Sequence, residues 1–235
     1  MSNSIYFSPV GITKTLTENA IKKAAKLYAA GKLIDLGCGE KPYESIISPY
    51  ITSYFGVDFQ PTAEVNYGKG TKADLYRDCT ETGLPNESFD TLISTQVMEH
   101  IFNTDKYLTE CHRLLKPGGV GIFTVPLIWP CHAEPYDYFR FTRYSLEKLF
   151  ENKGFQIEDI QGVGLAFATT AQIFLLSIFG KNSSIIAKIM RRLALFTIVP
   201  LVTAITLVVD KVQQDGPLCL NYIVVVRKPK NTNAI

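Results

Sequence analysis

The chain has 235 residues, 46% of them apolar and 20% charged, with a formal net charge of +2. That length admits one generous domain or two small ones, and the near balance of charge supplies no field that argues for nucleic acid as a partner. Cysteines at 38, 79, 111, 131 and 219 show no CxxC spacing, so they read as free thiols of a reducing compartment and neither as a disulfide frame nor as a zinc site.

The N-terminal residues carry no continuous apolar stretch of the length a signal peptide needs. Thr15-Leu16-Thr17-Glu18 fits a capping box, and Ala20, Ile21, Ala24, Leu27 and Tyr28 follow at helical spacing towards a stop at Gly31. Lys32 to Leu36 then reads as a short buried strand, Ser53 to Asp58 as a second and Ala73 to Asp78 as a weaker third. Phe89 to Ser94 makes a fourth strand, followed by a helix across roughly 103–115 that Lys116-Pro117-Gly118-Gly119 should stop. Val120 to Val125 is a fifth strand, Thr142 to Lys153 is helical in pattern, and Phe155–Ile160 and Tyr222–Val226 supply the last two strands. Strands alternating with helices predict an α/β fold, a Rossmann-like, seven-stranded, mostly parallel sheet with helices on both faces. Residues 1–235 read as a single domain, with an apolar helical insertion over 163–212 before the last strand.

Ligands of such sheets sit outside the carboxyl ends of the strands, where the strand order reverses. The turn after the first strand is Asp35-Leu36-Gly37-Cys38-Gly39-Glu40, whose glycines let a ligand approach the backbone. A dinucleotide fingerprint would need a third glycine at position 42, and proline stands there, so a pyrophosphate cradle is not expected. The second strand ends in Asp58, 23 positions after Asp35, where a carboxylate suits a ribose diol. The third ends in Asp78 followed by Cys79, a carboxylate and a backbone N–H that could read an adenine.

Together DLGCGE (35–40), GVDF (56–59), LPNESFDTLISTQVMEHI (84–101) and ECHRLLKPGG (110–119) resemble the class I S-adenosylmethionine-dependent methyltransferases, in the branch that acts on small molecules, lipids and sugars. The resemblance covers roughly residues 30–160. It implies S-adenosylmethionine as cofactor and a transferase as the activity. It implies that Gly37, Cys38 and Gly39 back the methionine and ribose portions, and that Asp58 with Phe59 holds the ribose. Asp78 and Cys79 then border the adenine, Gln96 and Val97 line the pocket after the fourth strand, and Asp35 supports the glycine loop or touches the cofactor's amino group. Cys79 departs from the small aliphatic residue of many relatives, and the linker 79–83 is longer than the commonest form. His100 reads as a packed structural histidine, and no metal site is expected: Cys111-His112 and Cys131-His132 are taken as chance neighbours.

The stretch PCHAEPYDYFRFTRY (130–144) follows the fifth strand and so begins at the edge where the methyl group should point. Methyl transfer to a hydroxyl needs a base near neutral pH, which makes His132 the candidate catalytic residue, with Glu134 and Asp137 available to orient it. Tyr136 and Tyr138 could close over the acceptor, Glu134 could contact it, and Arg140 and Arg143 could grip a phosphate or carboxylate. The alternative is a self-satisfied Asp-Tyr-Arg scaffold that seats the next helix, with Thr142 as its N-cap. A similar histidine-to-DYxRYT stretch occurs in a methyltransferase branch associated with bacterial surface polysaccharides. That resemblance points to O-methylation of a sugar hydroxyl on a glycan or lipid-linked glycoconjugate.

Val163 to Phe179 and Leu193 to Val209 are almost uniformly apolar, each near the lower limit of about 17 residues for spanning a bilayer, with Lys181, Lys188, Arg191 and Arg192 between them. The flanking strands share one sheet, so a single crossing is excluded, and the basic loop argues against two. Two readings stand: a shallow hairpin in the cytoplasmic leaflet with its basic residues on anionic headgroups, or soluble helices that cover the substrate pocket or form a homodimer interface. The expected location is accordingly cytoplasmic, peripheral at the inner membrane face in the first case. Rival functions are methylation of a soluble small molecule, such as a quinone precursor or secondary metabolite, and cofactor binding without transfer.

Overall fold

In a computed structural model of the chain, which describes residues 5–60, 71–179, 185–213 and 216–230, the apolar runs assemble into one seven-stranded sheet of order β3-β2-β1-β4-β5-β7-β6. Its strands are β1 (Lys32–Leu36), β2 (Ser53–Asp58), β3 (Leu75–Tyr76), β4 (Phe89–Thr95), β5 (Leu115–Pro126), β6 (Gln156–Leu165) and β7 (Cys219–Arg227). The helices are α1 (Gly11–Tyr28), α2 (Glu44–Ile47), α3 (Thr104–Leu114), α4 (Arg143–Asn152), α5 (Ala166–Ile178), α6 (Ile185–Phe196) and α7 (Ile198–Val212). Strand β1 pairs in parallel with both β2 and β4, so the chain reverses its direction of travel across the sheet beside the Asp35–Glu40 turn.

Consecutive residues are buried along the central strands: Leu33, Ile34, Asp35 and Leu36 on β1 and Thr91, Leu92, Ile93 and Ser94 on β4. Burial on both side-chain faces means that both faces of the sheet are covered. Phe123 and Phe150 meet with ring centroids 4.8 Å apart, which docks α4 on β5.

Several boundaries differ from the expectation. Helix α1 starts at Gly11, and Thr15 is an interior residue whose hydroxyl donates to the Gly11 carbonyl, so the capping-box pattern is not the start of the helix. The third strand shrinks to Leu75–Tyr76, because Asp74 leaves the ladder and its carboxylate accepts from Gly56 N–H at 2.7 Å. The Lys116–Gly119 segment belongs to β5: helix α3 passes straight into the strand, and an irregularity in the β4–β5 register absorbs the extra residues. Strand β6 runs on to Leu165, so Val163 to Leu165 are strand, and the helical insertion begins at Ala166.

The chain divides into two compact units, one of residues up to Asn19 with Gly162–Asn221, the other of Ala20–Gln161 with the residues from Tyr222 onwards. The first contains α5, α6 and α7. Helix α5 buries Ala168, Thr169, Gln172 and Leu175, and α7 buries Val199, Thr203 and Thr206. The buried Gln172 is satisfied by Thr13, whose N–H and hydroxyl it accepts, and by the Pro9 carbonyl, to which it donates. The large apolar residues face outward instead: Met190 is 65% exposed, Leu193 63%, Leu201 62% and Val208 66%. Lys188 and Arg192 are exposed on the same helix as Met190, whereas Lys181 lies outside the described residues. Among the described residues no single helix is long and apolar enough to cross a membrane, though Lys188–Phe196 and Ile198–Val212 are so in combination, with a 42° bend between them.

Candidate active site

A cleft of about 550 Å³ opens at the carboxyl ends of β1, β2 and β4, within the larger unit. Of the residues expected to bind a cofactor, Gly37, Asp58, Phe59, Asp78, Cys79, Gln96 and Val97 line it. Gly37 has φ +76° and stands so close to Val97 that a Cβ would come within 2.3 Å of Val97 Cγ2. A residue without a side chain is therefore required where the strand turns into the cleft.

Asp58 is buried and braces this turn. One carboxylate oxygen accepts from Gly39 N–H and the other from Phe59 N–H, both at 2.8 Å. Burial raises its pKa, and the two backbone donors oppose that rise. A carboxylate has about four lone-pair sites, so capacity remains on Asp58 for a diol in the cleft. Asp78 accepts from Thr80 N–H at 2.7 Å, which folds the loop after β3 around the adjoining wall. Gln96 sits at φ +55° directly after β4 and is pinned there by Thr124, whose carbonyl and hydroxyl accept from its backbone and side-chain N–H groups. Strain of this kind is tolerated where the surroundings over-determine it.

Asp35, Cys38 and Gly39 are not in the cleft wall. Asp35 lies beneath the turn, 2% exposed, and accepts from the Tyr54 hydroxyl. Burial pushes its pKa up to about 7. Cys38 is buried against Gly56, and burial pushes its thiol pKa well up. These residues hold the turn from behind.

The other end of the cleft is formed by the aromatic segment. His132, Tyr136 and Tyr138 line it, joined by His100, Ile101 and Phe102 from the turn after β4. The segment is tied to that turn by Tyr138 and Phe139, whose N–H groups donate to the Glu99 carbonyl at 3.0 and 3.3 Å. Phe102 packs against Tyr138 and Phe139 at centroid distances of 5.4 and 6.0 Å. His132 Nδ1 lies 3.2 Å from the Pro130 carbonyl and 3.3 Å from Asp137, and its N–H donates to the same carboxylate. Because a carbonyl only accepts, Nδ1 carries the proton and Nε2 the lone pair.

Arg140 and Arg143 do not reach the cleft. Arg140 donates twice to Asp137, at 2.7 and 2.8 Å, and to the carbonyls of Trp129, Pro130 and Phe139. Its guanidinium holds the Asp137 carboxyl at about 2, well below the usual range. Arg143 pairs with Glu147 one turn along α4, and Thr142 caps that helix by accepting from Ser145 N–H. Asp137 and Arg140 therefore build the scaffold of the segment, and His132, Tyr136 and Tyr138 face the cleft while Phe141 is buried in the core. Glu134 is exposed and is not among the lining residues.

Glu99 escaped sequence reasoning, and His100, expected to be a packed structural histidine, lines the cleft instead. They sit in a 3-10 turn, Met98–His100, directly after β4. The His100 ring lies edge-on to that of His132, with centroids 4.7 Å apart. Glu99 is fully buried, and burial pushes its pKa up to about 8.

The cleft fits an adenosyl cofactor: a carboxylate with spare lone pairs for a diol, and a second acid, Asp78, with Phe59 and Cys79 also in the lining. Residues 34–123 match a family described as "Methyltransferase domain". A "Probable S-adenosylmethionine-dependent methyltransferase" of Mycolicibacterium smegmatis is 27% identical over 154 residues, which are 62% of this chain and 60% of that protein. A "Ubiquinone biosynthesis O-methyltransferase" of Cereibacter sphaeroides is 32% identical over 97 residues, 39% of each chain. The chain thus spans less than two thirds of the length of either relative. Among solved structures, the [4+2]-cyclase SpnF superposes with a TM-score of 0.58 at 16% identity, over 92% of this chain and 81% of that one, a likeness of fold alone.

Residues 34–123 are thus similar to S-adenosylmethionine-dependent methyltransferases, and the sheet order and the cleft agree with the class I form of that fold. The cofactor named for the Mycolicibacterium relative is S-adenosylmethionine.

Proposed function

We propose that this protein transfers a methyl group to a hydroxyl of a lipid-linked or otherwise lipophilic acceptor at a membrane surface, a lipid-linked glycan being the first candidate. The observation that carries the reading is the two-ended cleft, with Asp58 and Asp78 on the cofactor side and His132, His100, Tyr136 and Tyr138 on the other. S-adenosylmethionine, when bound, supplies a methyl carbon made electrophilic by its sulfonium. Gly37 and Val97 shape the wall along which that group lies. Tyr136 and Tyr138 present rings on which a sugar or a phenol can stack, and they narrow the access of water. Activation of the hydroxyl falls to the histidines at this end, His132 held in one tautomer by Pro130 and Asp137.

The lipophilic character of the acceptor is supported by α5 and α7, which bury Thr169, Gln172, Thr203 and Thr206 beside Leu175 and Val199 and present Phe167, Phe174, Leu201, Ile205 and Val208 outward. Small and polar residues inside with large apolar ones outside is the arrangement of helices packed in lipid. Lys188 and Arg192 suit anionic headgroups nearby. A quinone precursor is the second acceptor class, favoured by the likeness to the ubiquinone-pathway enzyme and sharing the apolar tail.

The test is isothermal titration with S-adenosylhomocysteine, followed by methyl transfer from labelled cofactor to lipid-linked glycan or prenylated catechol in anionic vesicles. Transfer to a tailed acceptor should exceed that to its water-soluble headgroup by about tenfold or more. Equal rates would remove the membrane element, and a folded protein that binds no S-adenosylhomocysteine would overturn the reading altogether.

A further inference from the structure

We propose that Glu99, His100 and His132 form a site for one divalent transition-metal ion at the acceptor end of the cleft, and that this ion receives an acceptor carrying two adjacent oxygens. The proposal rests on the O-methyltransferase reading and adds how the hydroxyl is activated. It replaces the expectation of a metal-free site and changes the role of His132 from proton acceptor to ligand.

The three side chains each offer one ligand atom, and these atoms lie within 4.8 Å of one another. An ion with bonds of about 2.1 Å holds neighbouring ligands roughly 3.0–3.4 Å apart, a contraction of up to about 1.4–1.8 Å for the widest pair that side-chain rotation must supply. Glu99 is the independent sign of a ligand. Its side chain is fully buried, and neither carboxylate oxygen has a hydrogen-bond partner among the described residues. Oε1 faces His100 Nε2 at 3.8 Å. A buried carboxyl without partners is costly to ionise unless it meets a cation or a metal. The neighbouring guanidinium, Arg140, is already engaged by Asp137 and three carbonyls.

The imidazoles are prepared in the way metal-bound histidines are. His100 Nδ1 lies 2.8 Å from the Tyr136 carbonyl, and His132 Nδ1 lies 3.2 Å from that of Pro130. Both rings therefore keep their proton on Nδ1 and offer the Nε2 lone pair, with a second group fixing each ring's orientation. Two imidazoles and one carboxylate suit zinc, manganese, cobalt or ferrous iron and leave coordination positions open. His100 and His132 line the cleft, so those positions face the acceptor. Two cis positions are matched by a catechol or a vicinal diol, which both acceptor classes named above contain.

The chemistry balances without a further reactant. The ion lowers the pKa of a bound hydroxyl, whose proton leaves to solvent. The oxygen's electron pair then forms the O–CH3 bond while the S–CH3 bond breaks, and its pair stays on sulfur to give the neutral thioether S-adenosylhomocysteine.

The experiment uses full-length, tag-free protein stripped with chelator, in a Cys131→Ser background because that thiol is exposed. Co2+ is titrated while visible absorption is followed, Zn2+ and Mn2+ are titrated by calorimetry, and S-adenosylhomocysteine affinity is measured in parallel. One equivalent of Co2+ should bind with ligand-field bands, and Glu99→Gln and His132→Ala should each weaken it at least ~10-fold while retaining S-adenosylhomocysteine binding. Added 4-methylcatechol should shift the Co2+ bands, whereas 4-methylphenol should not. Protein that binds S-adenosylhomocysteine but none of the three ions, or binds them equally in His132→Ala, overturns the site. Equal band shifts from the two phenols overturn the chelated acceptor. Metal uptake without S-adenosylhomocysteine binding would support the site and remove the methyltransferase reading instead.

Discussion

Strand β4 and helix α7 draw on the same stock of leucine, isoleucine and threonine, and they end in opposite environments. In β4, Leu92 and Ile93 are fully buried, and the polar residues beside them are satisfied: Thr91 donates to the Ala30 carbonyl and Ser94 to that of Leu36, both at 2.8 Å. In α7 the buried stripe is Val199, Thr203 and Thr206, while Leu201, Ile205 and Val208 face outward. Thr206 donates back to the Val202 carbonyl, and the Thr203 hydroxyl has no partner among the described residues. Apolar content alone therefore does not say where a segment goes. The position of the small polar residues does: on a strand of a covered sheet they bond across to neighbours, and on this helix they mark the face that packs.

The sharpest way to break the contrast is to disturb the packed side. Gly37→Ala puts a methyl 2.3 Å from Val97 Cγ2 at a φ of +76°. S-adenosylhomocysteine affinity should fall by a factor on the order of 10³ in calorimetry, with the fold retained by circular dichroism. An affinity within threefold of wild type would mean that the cofactor does not lie along this turn.

The exposed side is tested by the pair Leu193→Glu and Leu201→Glu. Both side chains are more than half exposed, so the pair should leave thermal stability and S-adenosylhomocysteine binding intact. Partitioning onto anionic vesicles should drop by roughly 100-fold in a flotation assay. If the pair aggregates or unfolds, the outward face is a protein interface instead.

The smallest effect sharpens the packed side further. Asp35 has its pKa raised from 3.8 to about 7 by burial, so the folded protein holds a proton there that the unfolded chain releases. Its contribution is fully present below the unfolded value and is lost as pH rises towards 7. Asparagine can still accept from Tyr54 and does not titrate. Asp35→Asn should gain on wild type by about 1–2 kcal/mol between pH 5 and pH 7 in urea unfolding. A stability difference that does not change over that range would place the Asp35 carboxyl in contact with solvent.

Much of the cofactor half was legible because its signals are local. Asp35 to Glu40 and the strand ends at Asp58 and Asp78 each lie within one turn or strand, and short apolar runs mark β1, β2 and β4 within a residue of their ends. Starts that depend on distant partners were not. The β5 start is decided by its register against β4, and the α1 start, local though it is, by a turn in which the Ser8 hydroxyl accepts from Val10 N–H and its carbonyl from Gly11 N–H. The acceptor half was the least legible. His100 and His132 are 32 positions apart and meet only because the segment after β5 folds back on the turn after β4. Arg140 looked available for a ligand, and only the fold shows that Asp137 and three carbonyls already use it.

The sheet order also has a consequence for synthesis. Strand β7 lies between β5 and β6, and the residues from Ala166 to Pro217 must be made before it. At about 5–20 residues per second, β5 and β6 wait several seconds on the ribosome without the strand that joins them. During that interval the chain already displays its most apolar helices. A nascent chain in this state is a substrate for chaperones or for co-translational capture by a bilayer, and slowing translation just before Cys219 should lengthen the window and increase both.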